Sequence, residues 1–84
     1  MESPLKVLRK KLNCTQSELA ILSDEKQGHI SGVEKGYLPL DNKILEFVES
    51  IGINPAEIRQ EQNRYMQHVK NQLHKRALKQ EEVE

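Results

Sequence analysis

The chain has 84 residues, 36% hydrophobic and 31% charged, with no Trp, one Phe and a formal net charge of zero. That length allows one small domain with a modest core, and three Pro and four Gly are too few for an extended or low-complexity chain. Zero net charge excludes a protein that holds nucleic acid by global attraction, and the single Cys14 excludes an intramolecular disulfide.

The charge is unevenly spread. Residues 1–58 carry seven Lys/Arg against nine Asp/Glu, and residues 59–84 carry six against four. Any affinity for phosphate in the first part must therefore come from local patches. No apolar run approaches membrane-spanning length and no signal peptide is legible, so a cytoplasmic protein is expected.

In chain order, Leu5, Leu8 and Leu12 are spaced as one face of a helix opening at Pro4, with Ser3 as N-cap. Arg9, Lys10 and Lys11 sit at its end, where cations complement the helix dipole. Thr15-x-x-Glu18 is a capping box, and Leu19, Ala20 and Leu22 follow it until Ser23-Asp24 breaks the pattern. Ile30 and Val33 mark a third helix, closed by Gly36 as a left-handed C-cap, and Pro39 prevents its continuation. A fourth helix is expected over about 41–50, with Ile44, Leu45, Phe47, Val48 and Ile51 apolar and Gly52 ending it. Asn54-Pro55-x-Glu57 then starts a pattern that meets no breaker before about Gln80, with residues 81–84 expected to fray. The reading is all-α. The division is residues 1–58 as a helical domain and 59–84 as a helical extension.

The second and third helices, joined by a short turn, have the layout of a helix-turn-helix, which places its second helix in the DNA major groove. The ordered set Leu5, Leu8-Arg9, Leu12, Thr15-Gln16-Ser17-Glu18-Leu19-Ala20, Ile30-Ser31-Gly32-Val33-Glu34-Lys35-Gly36, Pro39, Ile44-Leu45, Phe47-Val48 and Ile51-Gly52-Ile53-Asn54-Pro55 resembles the Cro/phage-repressor type of helix-turn-helix proteins, the XRE family. It covers about residues 5–58. The resemblance implies a lambda-repressor-like bundle of four to five helices, here with an extended C-terminal helix, that binds a two-fold DNA site as a dimer.

Carried over position by position, the resemblance makes Gln16 a phosphate contact and Gln27 a base reader at the start of the recognition helix. A Gln amide can pair with adenine N6 and N7 together. It places Gly28, His29, Ser31 and Gly32 on the outward or phosphate-facing side, and Lys35, Tyr37, Asn42 and Lys43 beside the DNA backbone. Glu34 matches an acid that stabilises the domain internally. The turn departs from the family pattern: Asp24 stands where Gly is usual, Glu25 where an apolar residue is usual, and Lys26 where Ser or Thr caps the helix. Either Asp24 caps a shifted start with Glu25 exposed, or the turn is non-standard. Gly28 and Gly32 each weaken a helix by up to ~1 kcal/mol and offer no side chain to a base, so base readout falls to Lys26, Gln27 and His29.

Met66, Val69 and Leu73 have coiled-coil spacing, which fits a dimer seam or a helix packed on its own domain. Cys14 falls where the family it resembles has a small apolar core residue, which implies a buried structural thiol. His68 and His74, six apart, do not share a helix face, so no metal is expected, and no cofactor motif is present. No nucleophile–base pair or phosphate loop is legible, so an enzyme is not expected. Two functions remain: a sequence-specific DNA-binding transcriptional regulator acting as a homodimer, or a protein–protein module of the same fold, antitoxin-like or a regulator's partner, using the C-terminal helix.

Overall fold

The computed structural model describes the backbone of residues 1–83 and the side chains of residues 1–79; the expected fraying of residues 81–84 lies outside the residues described in full. Among the described residues the chain forms five α-helices and no strand: α1 (Pro4–Lys11), α2 (Gln16–Leu22), α3 (Gln27–Glu34), α4 (Asn42–Ser50) and α5 (Pro55–Val83).

Four of the five helices begin where a short polar side chain takes up a free backbone N–H. Ser3 Oγ accepts from the Lys6 amide at 3.3 Å, and Asp41 Oδ1 from the Ile44 amide at 3.0 Å. The capping box at α2 is complete, with Glu18 N–H donating to Thr15 Oγ1 at 3.1 Å and Thr15 N–H to Glu18 Oε1 at 2.9 Å. At α5, Asn54 Oδ1 accepts from the Ala56 amide at 2.9 Å. Only α3 starts without a side-chain cap, at Lys26.

The first four helices end alike. In each, the residue after the C-cap has positive φ: Asn13 (55°), Asp24 (55°), Gly36 (81°) and Gly52 (88°). Its amide and the next one bond back into the last turn, as in Glu25 N–H to Ala20 C=O at 2.8 Å and Tyr37 N–H to Gly32 C=O at 3.0 Å. This is the Schellman arrangement, which satisfies carbonyls the helix leaves free. Asp24 therefore closes α2 and does not cap α3. The alternative of a shifted start at Asp24 is corrected, and Glu25 is half-buried, not exposed.

The core is formed by Leu5 and Leu8 of α1, Leu19 and Ala20 of α2, Ile30 and Val33 of α3, Leu40, Ile44, Leu45 and Val48 around α4, and Ile58 of α5. Cys14, Phe47 and Ile53 pack on its margin. Burying side chains of this size contributes about 1.5–3 kcal/mol each, against the entropy of ordering them. Helix α5 passes unbroken through residues 58 and 59, and its next two turns still touch the bundle. Fully buried Gln62 donates through Nε2 to the carbonyls of Val33 and Leu38, both at 3.0 Å, and Tyr65 Oη donates to the Glu34 carbonyl at 2.9 Å. From Lys70 to Lys79 every residue is exposed, and the molecule measures 50 Å in its longest dimension.

Candidate nucleic-acid interface

Helix α3 carries Gln27, Gly28, His29, Ser31 and Gly32 of the expected DNA-facing residues, and its orientation is set by apolar and polar contacts on its inner side. Ile30 and Val33 are fully buried. Glu34, also buried, forms a fork with Arg9 of α1: Nε to Oε2 at 2.7 Å and Nη2 to Oε1 at 3.0 Å. Arg9 Nη1 adds a bond to the Cys14 carbonyl at 3.1 Å. The hydrogen bond to Glu34 holds the Arg9 guanidinium protonated even more firmly than usual. Glu34 thus has the internal role the resemblance implied, joining α3 to α1.

Gln16 is drawn into the same cluster. Its Nε2 donates to Glu34 Oε1 at 3.2 Å and the side chain is half-buried, so its amide is engaged inward in the free protein. Gln27 is exposed at the first position of α3, and its Oε1 accepts from Ser17 Oγ of α2 at 2.8 Å. Ser17 was not singled out in the sequence. It orients Gln27 by occupying one lone pair of Oε1, which leaves the second lone pair and the NH2 group unused by that bond.

Lys26, Gly28, Lys35, Asn42 and Lys43 are exposed, and Ser31 and Gly32 are half-buried. The two α3 glycines differ. A Cβ at Gly28 would meet nothing within 4 Å, whereas at Gly32 it would lie 2.6 Å from Leu38 Cδ1. Gly32 makes room for Leu38. Tyr37 is exposed next to it.

His29 is half-buried and faces α4. Its Nε2 lies 3.4 Å from Asp41 Oδ2 and makes no hydrogen bond. Burial acts to raise the Asp41 pKa, but the Glu25 carboxyl, the Ile44 amide and the charges of His29 and Lys43 outweigh it and hold the carboxyl below its ordinary value. Cys14 is half-buried, and its thiol is pushed up by burial and by the Glu18 carboxylate.

Of the residues with coiled-coil spacing, Val69 lies against the bundle: a Cβ at Gly36 would come within 2.6 Å of Val69 Cγ2. Met66 is half-buried and Leu73 exposed. With Gly36, Tyr37 and Val69 they line an open groove of about 470 Å³. No helix among the described residues is long and apolar enough to cross a membrane. The chain matches no family model, curated protein or solved structure.

Proposed function

We propose that the chain is a sequence-specific DNA-binding transcriptional regulator whose α3 enters the major groove. The observation that carries this reading is the start of α3. Lys26, Gln27 and Gly28 are exposed together on a helix whose other side is fixed by Ile30, Val33 and the Arg9–Glu34 fork, and Ser17 orients Gln27. A groove-reading helix needs a side chain positioned by its scaffold and donors and acceptors left over for a base edge.

In this account Gln27 and Lys26 read bases, and Lys35, Asn42 and Lys43 hold phosphates. Gln16 supports α3 through Glu34 and reaches phosphate only by leaving that bond. His29, Ser31 and Gly32 lie at the edge of the contact surface. Meeting of two copies along Met66, Leu73 and the exposed turns of α5 would set two α3 helices about 34 Å apart on the duplex. A solvated helix with no neighbour is marginal, which favours a partner for these turns.

The test compares Gln27→Ala with the parent chain on a selected duplex and on a random one. Gln27→Ala is expected to cost about 1–3 kcal/mol on the selected duplex and little on the random one. Equal losses on both would remove Gln27 as a reader.

A second reading, a protein–protein module of this fold, is favoured by Ile21 and Leu22 of α2, which are 79% and 55% exposed side by side. Adjacent exposed aliphatic side chains are what a docking partner covers. A complex abolished by Ile21→Ser, in a chain that enriches no duplex, would favour it over DNA binding.

A further inference from the structure

We propose that Glu25, His29 and Asp41 form a binding site for a divalent transition-metal ion of the zinc type. The three come from separate pieces of the fold: the turn after α2, the first turn of α3 and the N-cap of α4. One ligand atom from each lies within 4.8 Å of the others, and all three side chains are half-buried.

His29 supplies the observation that acidic neighbours alone would not. Its Nε2 is shut off from solvent and has no hydrogen-bond partner, yet it faces a carboxylate oxygen at 3.4 Å. A buried polar atom without a partner is costly. The spacing is poor for a hydrogen bond, but it matches the edge of a tetrahedron with metal–ligand bonds of about 2.0–2.1 Å, which is about 3.3–3.4 Å.

The carboxylates are already oriented by their other contacts. Asp41 Oδ1 accepts from the Ile44 amide at 3.0 Å, which leaves Oδ2 toward His29. Glu25 Oε1 accepts from the Lys26 amide at 3.0 Å. Outer-shell bonds of this kind fix ligands before an ion arrives. Two carboxylates held together also repel unless a positive charge lies between them. A metal ion supplies that charge. An ion there would complete coordination with water, since the chain offers three ligands.

The ligand types select the ion. One imidazole with two carboxylates suits zinc-like and neighbouring first-row ions, whereas magnesium and calcium favour all-oxygen sites. The site does not depend on the DNA reading. Its mechanical effect would be to clamp the uncapped start of α3 to α4.

The test is titration of the full chain with Zn²⁺ by calorimetry and with Co²⁺ by visible absorption. One equivalent is expected to bind, with Co²⁺ giving the stronger absorption of a four-coordinate site. His29→Ala and Asp41→Asn are each expected to weaken binding at least about tenfold, as even loss of an outer-shell partner commonly does. Asn caps helices as well as Asp, so Asp41→Asn keeps α4 intact, and circular dichroism checks both folds. A Cys14→Ser/His68→Ala/His74→Ala variant is expected to bind like the parent. No binding by the parent chain, or unchanged affinity in both His29→Ala and Asp41→Asn, overturns the proposal.

Discussion

Replacing Arg9 by Met isolates the polar contact that sets the position of α3. The substitution keeps an unbranched side chain of similar length but removes both bonds of the fork, at 2.7 and 3.0 Å, and the bond to the Cys14 carbonyl. Glu34, whose side chain is 5% exposed, is left with Gln16 alone at 3.2 Å. Removing one partner of a buried ion pair costs about 3–5 kcal/mol, because the remaining charge is uncompensated. Arg9 is 16% exposed, so some water reaches the pair and the lower end applies. We expect a loss of about 3 kcal/mol, which lowers Tm by about 15 °C in a domain of this size. The double replacement Arg9→Met/Glu34→Met removes both charges and is expected to lie within about 1 kcal/mol of the parent. Urea unfolding followed by far-UV circular dichroism measures all of these chains. A cost under about 1 kcal/mol for Arg9→Met, or a double variant that loses the sum of the two singles, refutes the reasoning.

Three further outcomes follow from the same structure. Gly36→Ala forces a Cβ at φ +81° to within 2.6 Å of Val69 Cγ2 and 3.0 Å of Tyr65 Cε2. It should cost about 2 kcal/mol or more and speed hydrogen exchange in α5 around residues 62–70; unchanged exchange would mean these turns do not rest on Gly36. Gln62→Leu deprives the Val33 and Leu38 carbonyls of a donor but also removes an unpartnered buried Oε1, so the net loss should be about 1 kcal/mol by urea unfolding. A stabilised variant would contradict the bridging role. Cys14, raised mainly by burial, should alkylate more slowly at pH 8 than a free thiol, and its rate should reach half its plateau at a higher pH than that of a free thiol titrated alongside it. A half-plateau pH at or below that of the free thiol contradicts it.

The helix starts were legible in the sequence because caps are local: Ser3, the Thr15–Glu18 box, Asp41 and Asn54 each bond within three residues. The helix ends were half legible. Gly36 and Gly52 announce a left-handed residue, whereas Asn13 and Asp24 adopt the same conformation under side chains that equally suit caps and turns. That ambiguity is why Asp24 could be read as a cap for α3. The inner face of α3 followed from the spacing of Ile30 and Val33. What Gln16 and Gln62 bond to, and what His29 faces, did not, because those groups lie 18, 24–29 and 12 residues away along the chain. A polar residue at a helical position gives no sign of facing outward or inward until the packing of another helix decides it. Gln62, at a helical position with no apolar signal, is fully buried for that reason.

Selection of the full chain against a pool of randomised duplexes at low salt tests the central claim most directly. The account predicts enrichment of a sequence with two related half-sites about one helical turn apart. On the proposed reading Lys35 and Lys43 in each of two protomers would give four phosphate contacts, so the logarithm of affinity should fall against that of salt with a slope of about −3.6. A pool that shows no enriched duplex at low salt would contradict DNA recognition by α3.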